Sequence, residues 1–192
     1  VSVLGGNTAN TEFEYLTGNT MAFLPTGSIP YQQYIKAETP SMASHLASLG
    51  YKTVAMHPYK ATGWDRDKVY PDLGFQEMHF LPDYKNPLLV REYVSDKSDF
   101  EKIIETYEKK EPGEPLFVFN VTMQNHSSYT ESFDNFQPDI TVEGANSTAL
   151  NNYLSLMKLS DEALQELIAY FEGQEEETII VFFGDHQPTN SV

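Results

Sequence analysis

The chain has 192 residues, with 12 Lys or Arg against 28 Asp or Glu, which gives a formal net charge of −16 at pH 7. Such a surface repels polyanions, so the composition argues against a nucleic-acid-binding module. The absence of cysteine excludes disulfides, zinc–thiolate sites and thiol nucleophiles. A hydrophobic content of 40% predicts one globular domain, and no apolar run approaches the roughly 20 residues that span a bilayer.

The first half of the chain predicts helices followed by a strand. Apolar residues at helical spacing begin in Thr11–Leu16, after a start rich in Gly and Asn. A second helix is expected over Ser41–Leu49, because Gly50 stands where a glycine commonly ends a helix. Tyr51–Met56 then has the pattern of a strand, which ends at His57.

The second half repeats this order twice. Ser98–Glu101 matches a capping box at the start of a helix, and Leu116–Thr122 is an apolar run typical of a buried parallel strand. A long helical region ends near Gly173, and Thr178–Phe183 is predicted as a further buried strand. Helix and buried strand in alternation predict an α/β domain whose three strands lie parallel in one sheet, with helices on both faces.

Polar residues follow each predicted strand at its C-terminal end. The first strand leads to His57, the second towards His126, and the third directly into Asp185-His186. Open parallel sheets bind ligands at this edge, so we expect these side chains to lie near one another. A carboxylate beside an imidazole suits a divalent cation, although the dipeptide alone is equally typical of a turn with an exposed histidine.

The N-terminal segment Gly5–Glu12 supplies a candidate hydroxyl group. Its glycines allow the backbone to approach a ligand closely, and a helix starts directly afterwards. A hydroxyl at a helix N-terminus lies where partial positive charge favours an alkoxide or a phosphate. Judged from the residues alone, Thr8, Asn10 or Thr11 has the more common role of a helix cap.

Several sequence blocks together resemble the lipoteichoic acid synthase and phosphoglycerol transferase family of the alkaline phosphatase and sulfatase superfamily. The blocks are GGNTANTEFEYLTGN with FLPTGSIPYQQYI, HPYKATGWDRDKVYPDLGF, VTMQNHSSY and VFFGDHQP, in the order typical of the family. The resemblance implies an alkaline phosphatase-like three-layer sandwich with a mostly parallel central sheet, truncated at both ends. Residues 1–192 would be the central part of one sulfatase-like catalytic domain, without the family's upstream metal-ligand strand and its C-terminal part.

The resemblance also implies roles for individual residues. Thr8 would be the catalytic nucleophile and, with Asp185 and His186, a ligand of a divalent cation, expected to be Mn²⁺ with Mg²⁺ as the second choice. The pocket for the phosphoglycerol head group would be lined by His57, Trp64, Arg66 and His126. From the residues alone, the arginine is more typical of a surface ion pair with Asp65 or Asp67, and the tryptophan is equally able to fill a core position.

The implied activity is transfer of a phosphoglycerol group from a phosphatidylglycerol-like lipid to polyglycerolphosphate or a glycolipid acceptor. It would take place at the extracellular face of a bacterial cell membrane, with the anchor outside this chain. The alternatives are a phosphodiesterase or a phosphoethanolamine transferase of the same superfamily, or an inactive fragment that binds cell-wall polymer. Hydrolysis of sulfate esters is disfavoured, since neither Cys nor Ser begins a Cys/Ser-x-Pro-x-Arg motif.

Overall fold

The computed structural model describes residues 6–188, which form six α-helices and five β-strands joined by turns and by one long loop at 121–147. In chain order the elements are α1 (Thr8–Thr17), α2 (Pro30–Gln33), α3 (Met42–Ser48), β1 (Lys52–His57), α4 (Arg66–Asp72), β2 (Glu77–Phe80), β3 (Leu89–Val90), β4 (Tyr93–Val94), α5 (Asp96–Glu108), β5 (Leu116–Asn120) and α6 (Thr148–Glu172). Within this range, no helix combines the length and the apolar character that crossing a membrane requires.

Contacts along the chain divide the described residues into two compact units. The first comprises residues 6–83, 109–121 and 184–187, and the second comprises the intervening segments 84–108 and 122–183 together with Pro188. Each unit is built from segments that are far apart in sequence. Each unit also has its own core. The expectation that residues 1–192 are the central part of one catalytic domain stays a prediction.

The first unit is built on a parallel sheet with strand order β2-β1-β5. The central strand β1 pairs with both neighbours, and Val54 lies opposite Glu77 on one side and Val118 on the other. Residues 53–56 of β1 are fully buried, so both faces of this strand are covered. A strand buried on both faces needs a continuous apolar run rather than alternation, which is the pattern this segment has. The predicted parallel pairing of segments 51–56 and 116–122 is confirmed.

One face of this sheet carries the core of the first unit. Ala55 and Phe119 are paired across β1 and β5, and both belong to a cluster that includes residues of α1 and α4. Helix α1 contributes Ala9, Phe13 and Leu16, whose spacing places them on one helical face. Burying a large apolar side chain stabilises a fold by roughly 1.5–3 kcal/mol, so this face fixes α1 against the sheet.

The second unit has a helical core and a short hairpin. Helices α5 and α6 contact each other through a cluster of Phe100, Ala163 and Leu167. Strands β3 and β4 form an antiparallel pair in which Val90 lies opposite Tyr93. This hairpin was not predicted, because two-residue strands leave no recognisable alternation in the sequence.

The structure corrects the prediction for Thr178–Phe183, which does not form a strand in the described part of the chain. Its apolar side chains are solvent-exposed, from 38% for Ile180 to 90% for Ile179. An apolar run becomes a strand only where a neighbour satisfies its backbone groups, and no strand among residues 6–188 pairs with this segment. The predicted three-strand set is therefore wrong in its third member, and β2 is the third strand instead.

The capping prediction at Ser98–Glu101 is also wrong in register. Helix α5 begins at Asp96, and the Ser95 side chain accepts a hydrogen bond from the Ser98 backbone N–H at 3.1 Å. The Ser98 hydroxyl instead accepts from the Leu88 backbone N–H at 3.0 Å. A second serine three residues upstream is the better cap, because it lies outside the first helical turn.

Candidate active site

Thr8 and Asp185 meet in the first unit although 177 positions separate them in sequence. The Thr8 hydroxyl, in the first turn of α1, donates a hydrogen bond of 2.6 Å to Oδ2 of Asp185. The Thr11 hydroxyl, one turn further along, donates to the backbone carbonyl of Asp185 at 2.6 Å. Two hydroxyls of one helix therefore fix both the side chain and the backbone of this aspartate.

His186 lies beside the Asp185 carboxylate. Its Nε2 is 3.3 Å from Asp185 Oδ2, and its Nδ1 is 2.9 Å from the carbonyl oxygen of Gln187. A carbonyl only accepts hydrogen bonds, so Nδ1 donates to it, and in the neutral tautomer this leaves the lone pair on Nε2. A carboxylate oxygen and a nitrogen lone pair then face each other, an arrangement that a cation between them would stabilise.

This donor set fits a divalent cation in kind. Hydroxyl, carboxylate and imidazole groups come together at one point, and the backbone carbonyl fixes the imidazole tautomer, as is usual for histidine ligands. The set is small in number, since residues 6–188 contain no group of three or more His, Cys, Asp or Glu side chains placed to hold a metal ion. Further ligands are needed, because divalent cations take at least four.

His57 ends strand β1 and is only 3% exposed. Its Nδ1 lies 2.8 Å from the carbonyl oxygen of Val121, which follows β5. That contact places the proton of the neutral ring on Nδ1 and fixes the ring orientation. The histidine is therefore held by the sheet itself, at the C-terminal edge where parallel sheets bind ligands.

Arg66 has a different environment from the one predicted. It is 2% exposed and pairs with the carboxylate of Glu12, also 2% exposed, through Nε and Nη2. The remaining Nη1 donates to the carbonyl oxygen of Gly63 at 3.2 Å. The prediction of a surface pair with Asp65 or Asp67 is wrong, because the guanidinium is buried against Glu12. Its predicted contact with the phosphoglycerol group stays a prediction.

Trp64 is half-buried and packs against the core of the first unit. Its backbone has φ +57°, and the following Asp65 has the same value. Two consecutive non-glycine residues in the left-handed region cost roughly 1–3 kcal/mol each, so the surrounding structure must hold this turn. Strained turns of this kind cluster at functional sites, and Trp64 remains a candidate for contact with substrate.

His126 belongs to the second unit and is exposed. Its ring lies 5.5 Å from the ring of Tyr93, centroid to centroid, and its Nδ1 is 3.3 Å from the tyrosine hydroxyl. The backbone of the loop that carries His126 is held by Arg91, whose guanidinium donates to the carbonyl oxygens of Gln124, His126 and Ser128. The predicted substrate-binding role of His126 stays a prediction.

Sequence reasoning missed Glu12 and Arg91, which hold the parts that carry Thr8 and His126. For Glu12 the sequence carries a recognisable signal, because a glutamate stands among the apolar positions of an amphipathic helix. For Arg91 the sequence carries no signal, because its partners are backbone carbonyls.

Comparison with known proteins gives a family model described as "Sulfatase" that matches residues 2–190. A putative cyclic beta-1,2-glucan modification protein of Rhizobium meliloti is 40% identical over 96% of this chain, which spans 29% of that protein. The lipoteichoic acid synthase of Staphylococcus aureus is 27% identical over 94% of this chain and 28% of its own length. The chain thus spans about a third or less of these relatives.

Solved structures include the Streptococcus pyogenes phosphoglycerol transferase GacH in complex with sn-glycerol-1-phosphate. It aligns with a TM-score of 0.69 and 26% identity, over 88% of this chain and 45% of that chain. The predicted α/β class with a mostly parallel central sheet is confirmed by this match and by the sheet of the first unit.

Proposed function

Because the chain belongs to the sulfatase family, we propose that it is part of a metal-dependent phosphoglycerol transferase in which Thr8 is the nucleophile. The single observation that carries the proposal is the 2.6 Å hydrogen bond from the Thr8 hydroxyl to the Asp185 carboxylate. A hydroxyl held by a carboxylate in the first turn of a helix is oriented for attack and lies in a partially positive field. The phosphoglycerol transferase among the solved relatives supports the choice of transferred group.

The proposed reaction has two steps that conserve atoms and charge. In the first, Thr8 Oγ1 forms a bond to phosphorus of a phosphatidylglycerol-like donor, and the bond between phosphorus and the diacylglycerol oxygen breaks. The threonine proton leaves through the site, and diacylglycerol departs protonated. In the second, an acceptor hydroxyl loses its proton and attacks the same phosphorus, which releases Thr8 with its proton restored.

Thr8, Asp185 and His186 would hold the divalent cation, for which Mn²⁺ is our first choice and Mg²⁺ our second. When bound, the cation lowers the pKa of a coordinated hydroxyl and offsets charge on phosphate oxygens. The three residues supply one hydroxyl oxygen, one carboxylate and one imidazole nitrogen. We propose that the further ligands come from outside residues 6–188, or from substrate and water.

Head-group recognition is assigned to His57, Trp64 and His126. His57 is oriented by the carbonyl of Val121, and Trp64 lies in a strained turn that the core supports. These side chains are able to hydrogen-bond a glycerol hydroxyl or wall its carbon face. Arg66 stays a proposed phosphate contact, since Glu12 and the Gly63 carbonyl engage three of its five N–H groups.

The acceptor is proposed to be a carbohydrate hydroxyl or a growing polyglycerolphosphate chain at the extracellular face of a bacterial membrane. The relative named for modification of a cyclic glucan supports a carbohydrate acceptor, whereas the lipoteichoic acid synthase supports a polymer or glycolipid. The donor would be membrane lipid in either case. Nucleic acid is not a partner, given the net charge of −16.

The test is covalent capture of the transferred group on the full-length protein. After incubation with phosphatidylglycerol and Mn²⁺, mass spectrometry is expected to find phosphoglycerol on Thr8, and Thr8→Ala is expected to abolish both the adduct and turnover. Thr8→Ser should keep part of the activity, since it retains the hydroxyl. Thr17→Ala is the matched control, because Thr17 ends the same helix and its hydroxyl donates to the Phe13 carbonyl and accepts from the Asn19 backbone N–H, neither of which belongs to the proposed site.

Each other outcome has a defined meaning. Turnover by Thr8→Ala would show that the nucleophile is wrongly assigned, and the transferase mechanism would be withdrawn. Release of glycerol phosphate without transfer to any acceptor would identify a phosphodiesterase. Reaction with phosphatidylethanolamine alone would identify a phosphoethanolamine transferase. Polymer binding with no adduct would support the inactive polymer-binding alternative.

A further inference from the structure

Glu12 lies one helical turn after Thr8 on α1 and is 2% exposed. Glutamate is rarely buried to this degree unless it is paired, because removing a carboxylate from water is costly. The proposed reaction gives this side chain no chemical role. Its burial next to the proposed nucleophile therefore needs an explanation of its own.

The Glu12 carboxylate accepts hydrogen bonds from three different side chains. Nε and Nη2 of Arg66 both donate to it, in the two-pronged geometry that guanidinium and carboxylate groups favour. The hydroxyls of Tyr31 and Tyr70 donate to Oε2 at 3.1 Å and 2.9 Å. These partners come from α2 and α4, so one carboxylate links α1 to two other helices.

The electrostatics agree with a Glu12 carboxylate that is ionised at neutral pH. Burial alone would raise the pKa of Glu12, but the charge of Arg66 and the hydrogen bonds outweigh it, so the pKa is lowered. The neighbouring Tyr70 hydroxyl has its pKa raised well above the ordinary value, chiefly by burial and then by the Glu12 charge. The cluster is therefore held as one anion, one cation and two neutral donors.

The cluster of Glu12 with Arg66 and the two tyrosines also contacts the strained turn at residues 63–66. Arg66 directly follows Trp64 and Asp65, both with positive φ, and its Nη1 donates to the carbonyl of Gly63. The guanidinium thus ties the backbone of the 63–66 turn to the carboxylate on α1. Without that tie, nothing in the local sequence favours a left-handed tryptophan.

The start of α1 depends on such tertiary contacts. Asn7, which precedes the helix, provides no side-chain cap to it. Thr11 anchors the helix to the Asp185 backbone, and Glu12 anchors it to Arg66. The two anchors are adjacent in sequence and both lie within one turn of Thr8.

We propose that Glu12 is a positioning residue, which through Arg66 and the two tyrosines sets the place of the Thr8 hydroxyl relative to the Trp64 turn. The inference rests on the proposed function of Thr8. A reacting atom misplaced by about 1 Å costs about 100-fold in rate, so small shifts of α1 should affect turnover strongly. Since Glu12 and the two tyrosines have no proposed contact with substrate, donor binding should change less than the rate.

The test compares two tyrosines that donate to buried carboxylates. Tyr70→Phe removes the donor to Glu12, and Tyr84→Phe removes the 2.6 Å donor to Asp99 in the second unit, far from α1 in sequence. In the full-length enzyme both variants should lower the unfolding temperature by a similar few degrees. Only Tyr70→Phe is expected to lower kcat, by about 10-fold with KM for the donor within about twofold.

A second variant tests the negative charge of Glu12. Glu12→Gln keeps the length of the side chain and an acceptor oxygen for the tyrosines, and we expect kcat to fall by about 100-fold in the fraction that folds. Equal loss of kcat in Tyr70→Phe and Tyr84→Phe, or no loss in Tyr70→Phe, would reduce the cluster to a purely structural role. If Thr8→Ala retains activity, the proposed function fails first, and that result is distinguishable from both.

Discussion

Each unit contains a buried arginine, and the partners of its guanidinium differ between the two units. The chain contains two arginines, Arg66 in the first unit and Arg91 in the second, and both are buried. Arg66 faces the carboxylate of Glu12. Arg91 donates to three backbone carbonyl oxygens of the 124–128 loop and lies over two aromatic rings. No carboxylate in the described range 6–188 lies within salt-bridge distance of it.

The pKa directions follow this difference. The charge of Glu12 outweighs burial and raises the pKa of Arg66, whereas burial lowers the pKa of Arg91. The first arginine is one half of an ion pair, so its contribution depends on its partner. The second keeps its charge among carbonyl dipoles and rings, so its contribution is to shape a loop. The two should respond differently to the same substitution.

The largest effect is expected from Arg66→Met, which leaves the Glu12 carboxylate buried without a cation. Breaking a buried pair in this way destabilises a protein by about 3–5 kcal/mol. The double variant Glu12→Gln with Arg66→Met should recover most of that loss, because Gln is neutral and still accepts from Tyr70. Urea denaturation of the three proteins measures this. A double variant as unstable as Arg66→Met would contradict the ion-pair interpretation.

The next effect contrasts two buried carboxylates, Glu12 and Asp96. Within residues 6–188, no Lys or Arg charge contributes to the pKa of Asp96 as Arg66 does to that of Glu12. Burial raises the pKa of Asp96 from 3.8 to about 6, although the Ser160 hydroxyl donates to it at 2.5 Å. A raised folded-state pKa means that the folded protein holds the proton more tightly. The stability from Asp96 is therefore present below about pH 4 and lost as pH rises through 6.

The difference between these values corresponds to about 3 kcal/mol, at about 1.4 kcal/mol per pH unit. We expect the stability of Asp96→Asn relative to the wild type to increase by most of that amount between pH 4 and pH 7.5. Glu12 behaves in the opposite sense, because its lowered pKa makes its contribution disappear as pH falls. Denaturation curves across this range decide the point, and a constant difference between Asp96→Asn and the wild type would refute the assignment.

A smaller loss is expected from Arg91→Met, about 2 kcal/mol, because three carbonyls lose a donor but no opposite charge is left buried. Arg91→Lys should recover little of this, since one ammonium on a flexible stem does not reproduce a planar fork. The measurement is again urea denaturation, and the His126 ring resonances report the loop. If Arg91→Lys were as stable as the wild type, charge rather than geometry would hold the loop.

Local sequence signals were sufficient for much of the fold. Ser41 caps α3, Gly50 follows it with φ +91°, and the apolar runs at 51–56 and 116–122 pair in parallel. Each of these features depends on a few neighbouring residues or on burial of a continuous apolar run. The pairing of Thr8 with Asp185 was anticipated from family resemblance, since no local rule joins residues this far apart.

Two of the failures share one physical cause, whereas the misplaced cap at Ser98 is a local error of register. The segment at 178–183 has the composition of a strand, but a strand exists only where a partner strand satisfies its backbone groups. Arginine is usually a surface residue, so the sequence around Arg66 predicts exposure. Only the fold brings Glu12, 54 positions away in sequence, against it. Sequence patterns describe what a residue is able to do, whereas these outcomes depend on which distant residue reaches it.

The smallest effect is expected from Tyr93→Phe. The Tyr93 hydroxyl lies 3.3 Å from His126 Nδ1, a long contact, and the same nitrogen lies 2.8 Å from the carbonyl of Ser127. Removing the hydroxyl should cost about 0.5–1 kcal/mol, because the ring contact with His126 remains and Arg91 still holds the loop backbone. Thermal unfolding beside Arg91→Met provides the comparison. If Tyr93→Phe were as destabilising as Arg91→Met, the tyrosine would organise the loop. The interpretation that Arg91 shapes this loop would then be wrong.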